Sequence, residues 1–120
     1  MQLNKIYNES NLETMARMPD NSVDSIVTDP PYGLGNEPDP VEVLTAWLDH
    51  GYLEVKGSGF MGKEWDAFVP QPRFWKEVHR VLKPGGHVLS FFGTRTYDWG
   101  VMAMRMAGFE IGRASCRERV

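Results

Sequence analysis

The sequence predicts an α/β fold of the doubly wound class, a short parallel sheet with helices on both faces, and three observations predict it. The run Val23–Thr28 is short, rich in β-branched residues and bounded by the turn cluster Pro19-Asp20-Asn21-Ser22. Residues 87–92 form a second run, continuously apolar after His87 except for Ser90. Both read as buried strands. Around them apolar residues recur at helical spacing, and helices alternating with short buried strands indicate a parallel sheet covered on both sides. Ligands of such sheets sit beyond the carboxyl ends of the strands. That rule points to Asp29-Pro30-Pro31-Tyr32 and to Phe92-Gly93-Thr94.

Taken in order, residues 5–8 read as a short strand. Ser10 or Asn11, followed by Leu12, Met15, Ala16 and Met18, reads as a helix with an oxygen-bearing cap, closed by Pro19. After the strand Val23–Thr28, the two prolines end the ladder, because each fixes φ and removes an N–H, and Pro31 forces Pro30 into an extended conformation. Residues 33–40, rich in Gly, Pro, Asn and acid, are expected to be an exposed, mobile loop. Val41, Leu44, Trp47 and Leu48 mark a second helix, with Gly51 as a stop and a possible continuation to about Val55. Residues 56–71 show no period and read as a long loop, in which Phe60 and Trp65 either serve a functional face or pin the loop to the core. From Pro72, the residues Phe74, Trp75, Val78, Val81 and Leu82 form one face of a third helix, ended by Lys83-Pro84-Gly85-Gly86. After the second strand, Gly93-Thr94-Arg95-Thr96 turns into a fourth helix over residues 97–107, capped by Gly108, with Phe109 opening a further strand.

A chain of 120 residues makes at most one domain. No apolar run approaches the length of a membrane span, and the first residues lack a signal-peptide layout, so a cytoplasmic protein is expected. One cysteine, Cys116, permits neither an internal disulfide nor a cysteine metal cluster. His50, His79 and His87 lack metal-ligand spacing, and no metal is expected. A formal net charge of −3 argues against nucleic-acid binding through bulk positive charge. Lys76, Arg80 and Lys83 read as a solvated helix face more readily than as phosphate contacts.

The chemistry of the central stretch arises from its parts. Asp29 and the Pro30 carbonyl can accept the two hydrogens of an amino group on a planar ring, which draws the nitrogen lone pair out of conjugation and makes it nucleophilic. Pro31 is the rigid spacer. Tyr32 can stack on the planar face, as aromatic side chains do with an unstacked base. Taken singly, Asp29 would be a turn-capping acid and Tyr32 a core ring. Together at a strand end they read as a site.

These residues carry a resemblance. The segment from Asn21 through Asp29-Pro30-Pro31-Tyr32 to Gly33 resembles the catalytic segment of the DNA amino-methyltransferases. The block Phe74-Trp75-Lys76-Glu77-Val78-His79-Arg80-Val81-Leu82-Lys83-Pro84-Gly85-Gly86, with the Gly93-Thr94-Arg95-Thr96-Tyr97 turn and the helix ending Ala107-Gly108-Phe109, is similar to the region beyond the catalytic segment in that family. The resemblance covers residues 5–109. It implies a partial Rossmann-like methyltransferase fold, S-adenosyl-L-methionine as methyl donor, DNA with a flipped target base as partner, and a setting in restriction-modification. The Asp-Pro-Pro-Tyr form implies an adenine amino group. Cytosine in DNA, guanine in RNA and a protein amide remain open as amine substrates, and a non-catalytic module that binds a nucleobase or a partner remains the alternative of another class.

The resemblance also marks departures. The strand before the catalytic one usually ends in Gly-Asp in this family, the acid holding the cofactor; Glu9 and Ser10 stand at those positions here. The glycine-rich cofactor loop is absent, and Gly33-Leu34-Gly35 lacks both a preceding strand and a third glycine at the required offset. Permuted members carry that loop near the carboxyl end, so residues 1–110 are expected to be the amino-terminal part of a catalytic domain, inactive without its missing carboxyl-terminal half. Residues 111–120 back-translate to ATC GGA AGA GCG TCG TGT AGG GAA AGA GTG, a common sequencing-adapter sequence followed by a stop triplet, and are expected to be adapter read-through that fits no strand or helix pattern. Without the three arginines and one glutamate of that tail, the remainder is more acidic than the whole chain. DNA-binding charge is then expected from the missing half.

Overall fold

The computed structural model describes residues 4–55 and 67–112 and the backbone of 116–118. Among the described residues seven elements succeed one another: α1 (Asn11–Ala16), β1 (Val23–Thr28), α2 (Pro40–His50), α3 (Pro72–Val81), β2 (Leu82–Ser90), α4 (Tyr97–Met106) and β3 (Cys116–Glu118). They make a small mixed α/β unit in which β1 and β2 run parallel, linked through α2 and α3, and β3 lies antiparallel on the far edge of β2.

The helices begin and end where local chemistry directs. Asp39 accepts from the Val41 amide at the start of α2, Pro40 takes the first position where its missing N–H costs nothing, and Gly51 at φ 79° closes the helix before it can reach Val55. Pro72 opens α3 in the same way. Its apolar face, with Trp75, Val78 and Val81 nearly inaccessible, packs on β2, while α1 and α4 flank it. Gln71, just before α3, is buried and joins three groups. Its Oε1 accepts from the Trp47 indole at 2.8 Å and the Leu53 amide at 2.7 Å, and its Nε2 donates to the Leu53 carbonyl at 2.8 Å. Trp47, Phe68 and Trp99 close this end of the core with ring centroids 5.4–6.2 Å apart.

Several expectations are corrected. Residues 5–8 are not a strand, and Ile6 stands in solvent, since no neighbouring strand among the described residues offers a ladder. Helix α1 starts after Ser10, but the Ser10 side chain makes no capping bond. Helix α3 stops at Val81, ahead of the glycines, and β2 begins at once. Pairing advances two residues on β1, from Val23 to Ser25, while it advances five on β2, from Leu82 to His87, so Lys83-Pro84-Gly85-Gly86 forms a bulge in the strand instead of a helix cap. Phe109 makes a single bridge and packs on the rings of Trp75 and His79.

The largest correction concerns the sheet faces. Ile26 and its partner Val88 face the helices, but Val27 is 71% exposed and Phe91 54% exposed on the opposite side. Among the described residues only one face is covered, so the strands are half-buried and not enclosed. The backbone of Cys116–Glu118 does form a strand, contrary to the expectation from its side chains. An open edge pairs with any extended segment through main-chain groups alone, whatever its sequence. The expectations for Phe60 and Trp65 lie outside the described residues.

Candidate active site

The site begins where the ladder ends. The Phe91 amide donates to the Thr28 carbonyl at 3.2 Å, the last rung between β1 and the chain beyond β2. Asp29 comes next, exposed at the carboxyl end of β1, then buried Pro30 and half-buried Pro31 and Tyr32. Among the described residues no hydrogen bond reaches the Pro30 carbonyl. The prolines thus do what their chemistry requires, ending pairing and leaving an acceptor beside a carboxylate.

Asp29 and Tyr32 come together more closely than their spacing suggests. The Tyr32 hydroxyl donates a short hydrogen bond to Asp29 Oδ1. That bond, burial and the carboxylate charge, in that order, push the Tyr32 hydroxyl above its ordinary pKa, so it remains a donor near neutrality. A carboxylate offers about four lone-pair positions, and one hydrogen bond leaves Asp29 able to accept another donor. The expected open acceptor is therefore an acceptor already oriented by its neighbouring ring.

The turn before α4 holds this loop. Thr96, fully buried, donates from Oγ1 to the Tyr32 carbonyl in a short bond. Arg95 Nη2 donates to the carbonyls of Gly33 at 2.9 Å and Gly35 at 2.7 Å. Gly33 sits at φ +68°, and a Cβ there would lie 3.1 Å from the backbone of Phe68 and Val69. Only glycine meets both conditions without strain. A Cβ on Gly93 would stand 3.3 Å from Tyr32 Cβ, so that turn packs directly on the tyrosine. The start of the expected mobile loop is thus buried at Gly33 and fastened, with Leu34 and the residues after Gly35 mostly outward. Sequence reasoning placed Arg95 and Thr96 in a turn but missed this role. Their partners lie 60 to 64 residues away, and only Thr96 gave a local signal, that of a helix cap.

A cleft of about 210 Å³ opens beside Pro31, lined among others by Asn11, Leu12, Phe68, Arg73 and Phe74. The Arg73 guanidinium lies over the Tyr52 ring, 3.7 Å from its centroid, at the same cleft. Glu9 and Ser10 stand just before α1. Both Glu9 oxygens accept from Arg17, at 2.7 and 2.8 Å, and this contact lowers the Glu9 pKa. Neither turn from a strand into a helix has the three-glycine spacing of a nucleotide-binding loop: the one after β1 holds Gly33 and Gly35, the one after β2 Gly93. The described residues therefore do not fit S-adenosylmethionine as a complete site.

Of Lys76, Arg80 and Lys83, Arg80 in α3 and Lys83 in β2 make ion pairs within the fold. Arg80 pairs with Asp20 and Glu77 and donates to the Met15 and Met18 carbonyls at 2.6 and 2.9 Å, closing the carboxyl end of α1. Lys83 pairs with Asp24 across the bulge. Among the described residues no group of three His, Cys, Asp or Glu side chains could hold a metal ion, and no helix is long and apolar enough to cross a membrane.

The family model described as DNA methylase matches residues 23–115, from the first residue of β1 through the turn before α4 and beyond. The chain belongs to the DNA methylase family. It is 33% identical over 101 residues to the type II methyltransferase M.BglII of Bacillus subtilis, a match that covers 82% of this chain and 22% of that protein. It is 31% identical over 100 residues to the protein named as methylase YubD of Escherichia coli (strain K12), covering 83% of this chain and 36% of that one. The chain thus spans between about a fifth and about a third of the length of these two relatives.

Proposed function

We propose that this chain is the amine-holding part of a site-specific DNA methyltransferase that transfers methyl from S-adenosyl-L-methionine to the exocyclic amino group of adenine, and that it needs the rest of a longer protein to act. The observation that carries the reading is the group at the end of β1: a carboxylate, a prolyl carbonyl without a partner among the described residues, and a ring hydrogen-bonded to that carboxylate. Membership in the DNA methylase family supports it.

Asp29 and the Pro30 carbonyl each accept one N–H of the target amine. The lone pair then rotates out of conjugation with the base and points away from both acceptors. Tyr32 stacks on the base, while its hydroxyl keeps the Asp29 carboxylate in place. The proton released as the amine is alkylated passes to Asp29 or to water. The base must leave the duplex to reach these groups, since its amine is paired and stacked within it. S-adenosylmethionine supplies the electrophilic methyl; the described residues do not form a complete site for it, and Glu9 is paired with Arg17. The uncovered sheet face with Val27 and Phe91 is consistent with a remainder that packs there and brings the donor.

The test is to incubate the full-length protein with labelled donor and duplex DNA, digest the product and identify the methylated nucleoside. N6-methyladenine, absent with Asp29→Ala, is the expected result. N4-methylcytosine would move the substrate to cytosine, and no methylated nucleoside on any DNA would overturn the reading.

A further inference from the structure

We propose that Arg95 and Thr96 are positioning residues for the base receptor, a clamp that fixes the Tyr32 ring and the strand-end carboxylate in the geometry the target base meets. The proposal rests on reading Asp29, Pro30 and Tyr32 as that receptor. Its own support is the pattern of hydrogen bonds at the turn before α4.

Thr96 is the residue at the amino-terminal cap of α4, where a threonine ordinarily accepts from the amides of the first turn. Here it makes no capping bond. Its hydroxyl is instead a donor to the Tyr32 carbonyl, and the side chain is wholly buried. A helix that forgoes its cap loses stability, so the residue serves the tyrosine at the helix's expense. Arg95, next to it, directs one nitrogen to two carbonyls of the same loop, Gly33 and Gly35, and its side chain is otherwise largely in solvent. Three carbonyls just after the prolines, those of Tyr32, Gly33 and Gly35, are therefore held by two neighbouring side chains. Gly93 completes the arrangement, since its missing Cβ lets the turn approach the Tyr32 side chain.

The loop has no ladder of its own to hold it, because Pro30 and Pro31 have removed the donors that would pair. Its carbonyls point to whatever donors tertiary structure supplies. Among the described residues Arg95 and Thr96 supply donors to three of them, and the Tyr32 ring is carried by the loop they hold. Tyr32 in turn orients Asp29 through its hydroxyl. Neither Arg95 nor Thr96 is placed to touch the amine; both act through the loop.

The experiment uses the full-length protein with Thr96→Val, Thr96→Ser, Arg95→Met and Arg95→Lys. Three readouts are taken: hydrogen exchange of the amides in residues 32–36, kcat with KM on duplex DNA, and duplex affinity by fluorescence anisotropy. Thr96→Val and Arg95→Met should speed exchange in that segment several-fold and lower kcat by about 10- to 100-fold, as small misplacements of reacting groups do, while duplex affinity changes less than about twofold because no phosphate contact is lost. Thr96→Ser keeps the hydroxyl and should restore both exchange and kcat. If Thr96→Val does not fold, Arg95→Met decides, since that side chain is largely exposed. Unchanged exchange at residues 32–36 in Arg95→Met would overturn the clamp, as would a Thr96→Ser protein as slow as Thr96→Val. Should the unaltered protein methylate no DNA, the proposed function falls, and the exchange measurement still decides whether the clamp exists.

Discussion

Replacing Gln71 with leucine should destabilise the fold by about 2–5 kcal/mol, and the number can be built from its partners. Gln71 is 8% exposed and Trp47 2% exposed, so the Trp47 indole N–H, which donates to Gln71 at 2.8 Å, has no water to turn to when the amide is removed. A buried donor left without a partner costs about 1–3 kcal/mol. The Leu53 amide and carbonyl also lose their partner, at 2.7 and 2.8 Å, but Leu53 is only half-buried and can recover water. These two bonds contribute about 0.5–1 kcal/mol each. Leucine fills much of the same volume, so a cavity adds little. Thermal unfolding followed by tryptophan fluorescence should show a fall in Tm of at least about 8 °C, at about 4–8 °C per kcal/mol for a small domain. Gln71→Glu gives an independent reading. A carboxyl at that position can still accept from Trp47 and Leu53, but when ionised it faces the Leu53 carbonyl without a donor. Its pKa is then raised in the folded state, so its contribution is present at low pH and lost as pH rises through that value. The gap to the unaltered protein should narrow on acidification. A Tm within about 4 °C of the unaltered protein for Gln71→Leu, or a Gln71→Glu gap that widens in acid, would refute the network.

Gly33→Ala should lose about 2–3 kcal/mol, about 1–2 from the left-handed backbone and the rest from a Cβ 3.1 Å from main chain that cannot rotate away, checked by urea unfolding. Tyr32→Phe should keep base stacking and retain part of methyl transfer in the full-length protein, while Tyr32→Ala loses nearly all of it; equal loss in both, measured as kcat, would mean that the hydroxyl and not the ring matters. Absorbance titration should show a tyrosine ionising above the ordinary range, and Tyr32→Phe should remove it. The sign comes from its raised pKa: the bond to Asp29 is intact below the ordinary tyrosine range near ~10 and is lost as pH rises through the folded value. Phe91→Ser should reduce binding of a hydrophobic dye by the chain, since Phe91 and Val27 form the uncovered apolar face of the sheet.

The order of the four helices and of β1 and β2, and the place of Asp29, Pro30 and Tyr32 just after a strand, were legible in the residues alone, because these depend on local rules. Period distinguishes helix from strand, Asp39 and Gly51 bound α2, and two prolines after a β-branched run must end a ladder and leave a carbonyl outside it. Asp29, Pro30 and Tyr32 were found that way, and they lie together at the carboxyl end of β1 as expected. Where local rules compete, the sequence was ambiguous. Lys83-Pro84-Gly85-Gly86 suits a helix end and a strand bulge equally, and the pairing of Leu82 with Val23 selected the bulge. Residues 5–8 have the pattern of a strand, but a strand exists only where a neighbour pairs with it.

What the sequence determined, then, is the set of groups at the strand end, since covalent chemistry places an acid, two imino acids and a ring in succession. Tertiary structure decided how they are held. Gln71 joins Trp47 to Leu53, Arg80 closes α1, and Arg95 and Thr96 grip a loop some sixty residues away. No period or motif announces such bonds, because a carbonyl removed from its ladder accepts whichever donor the fold brings near, and the identity of that donor is a property of packing.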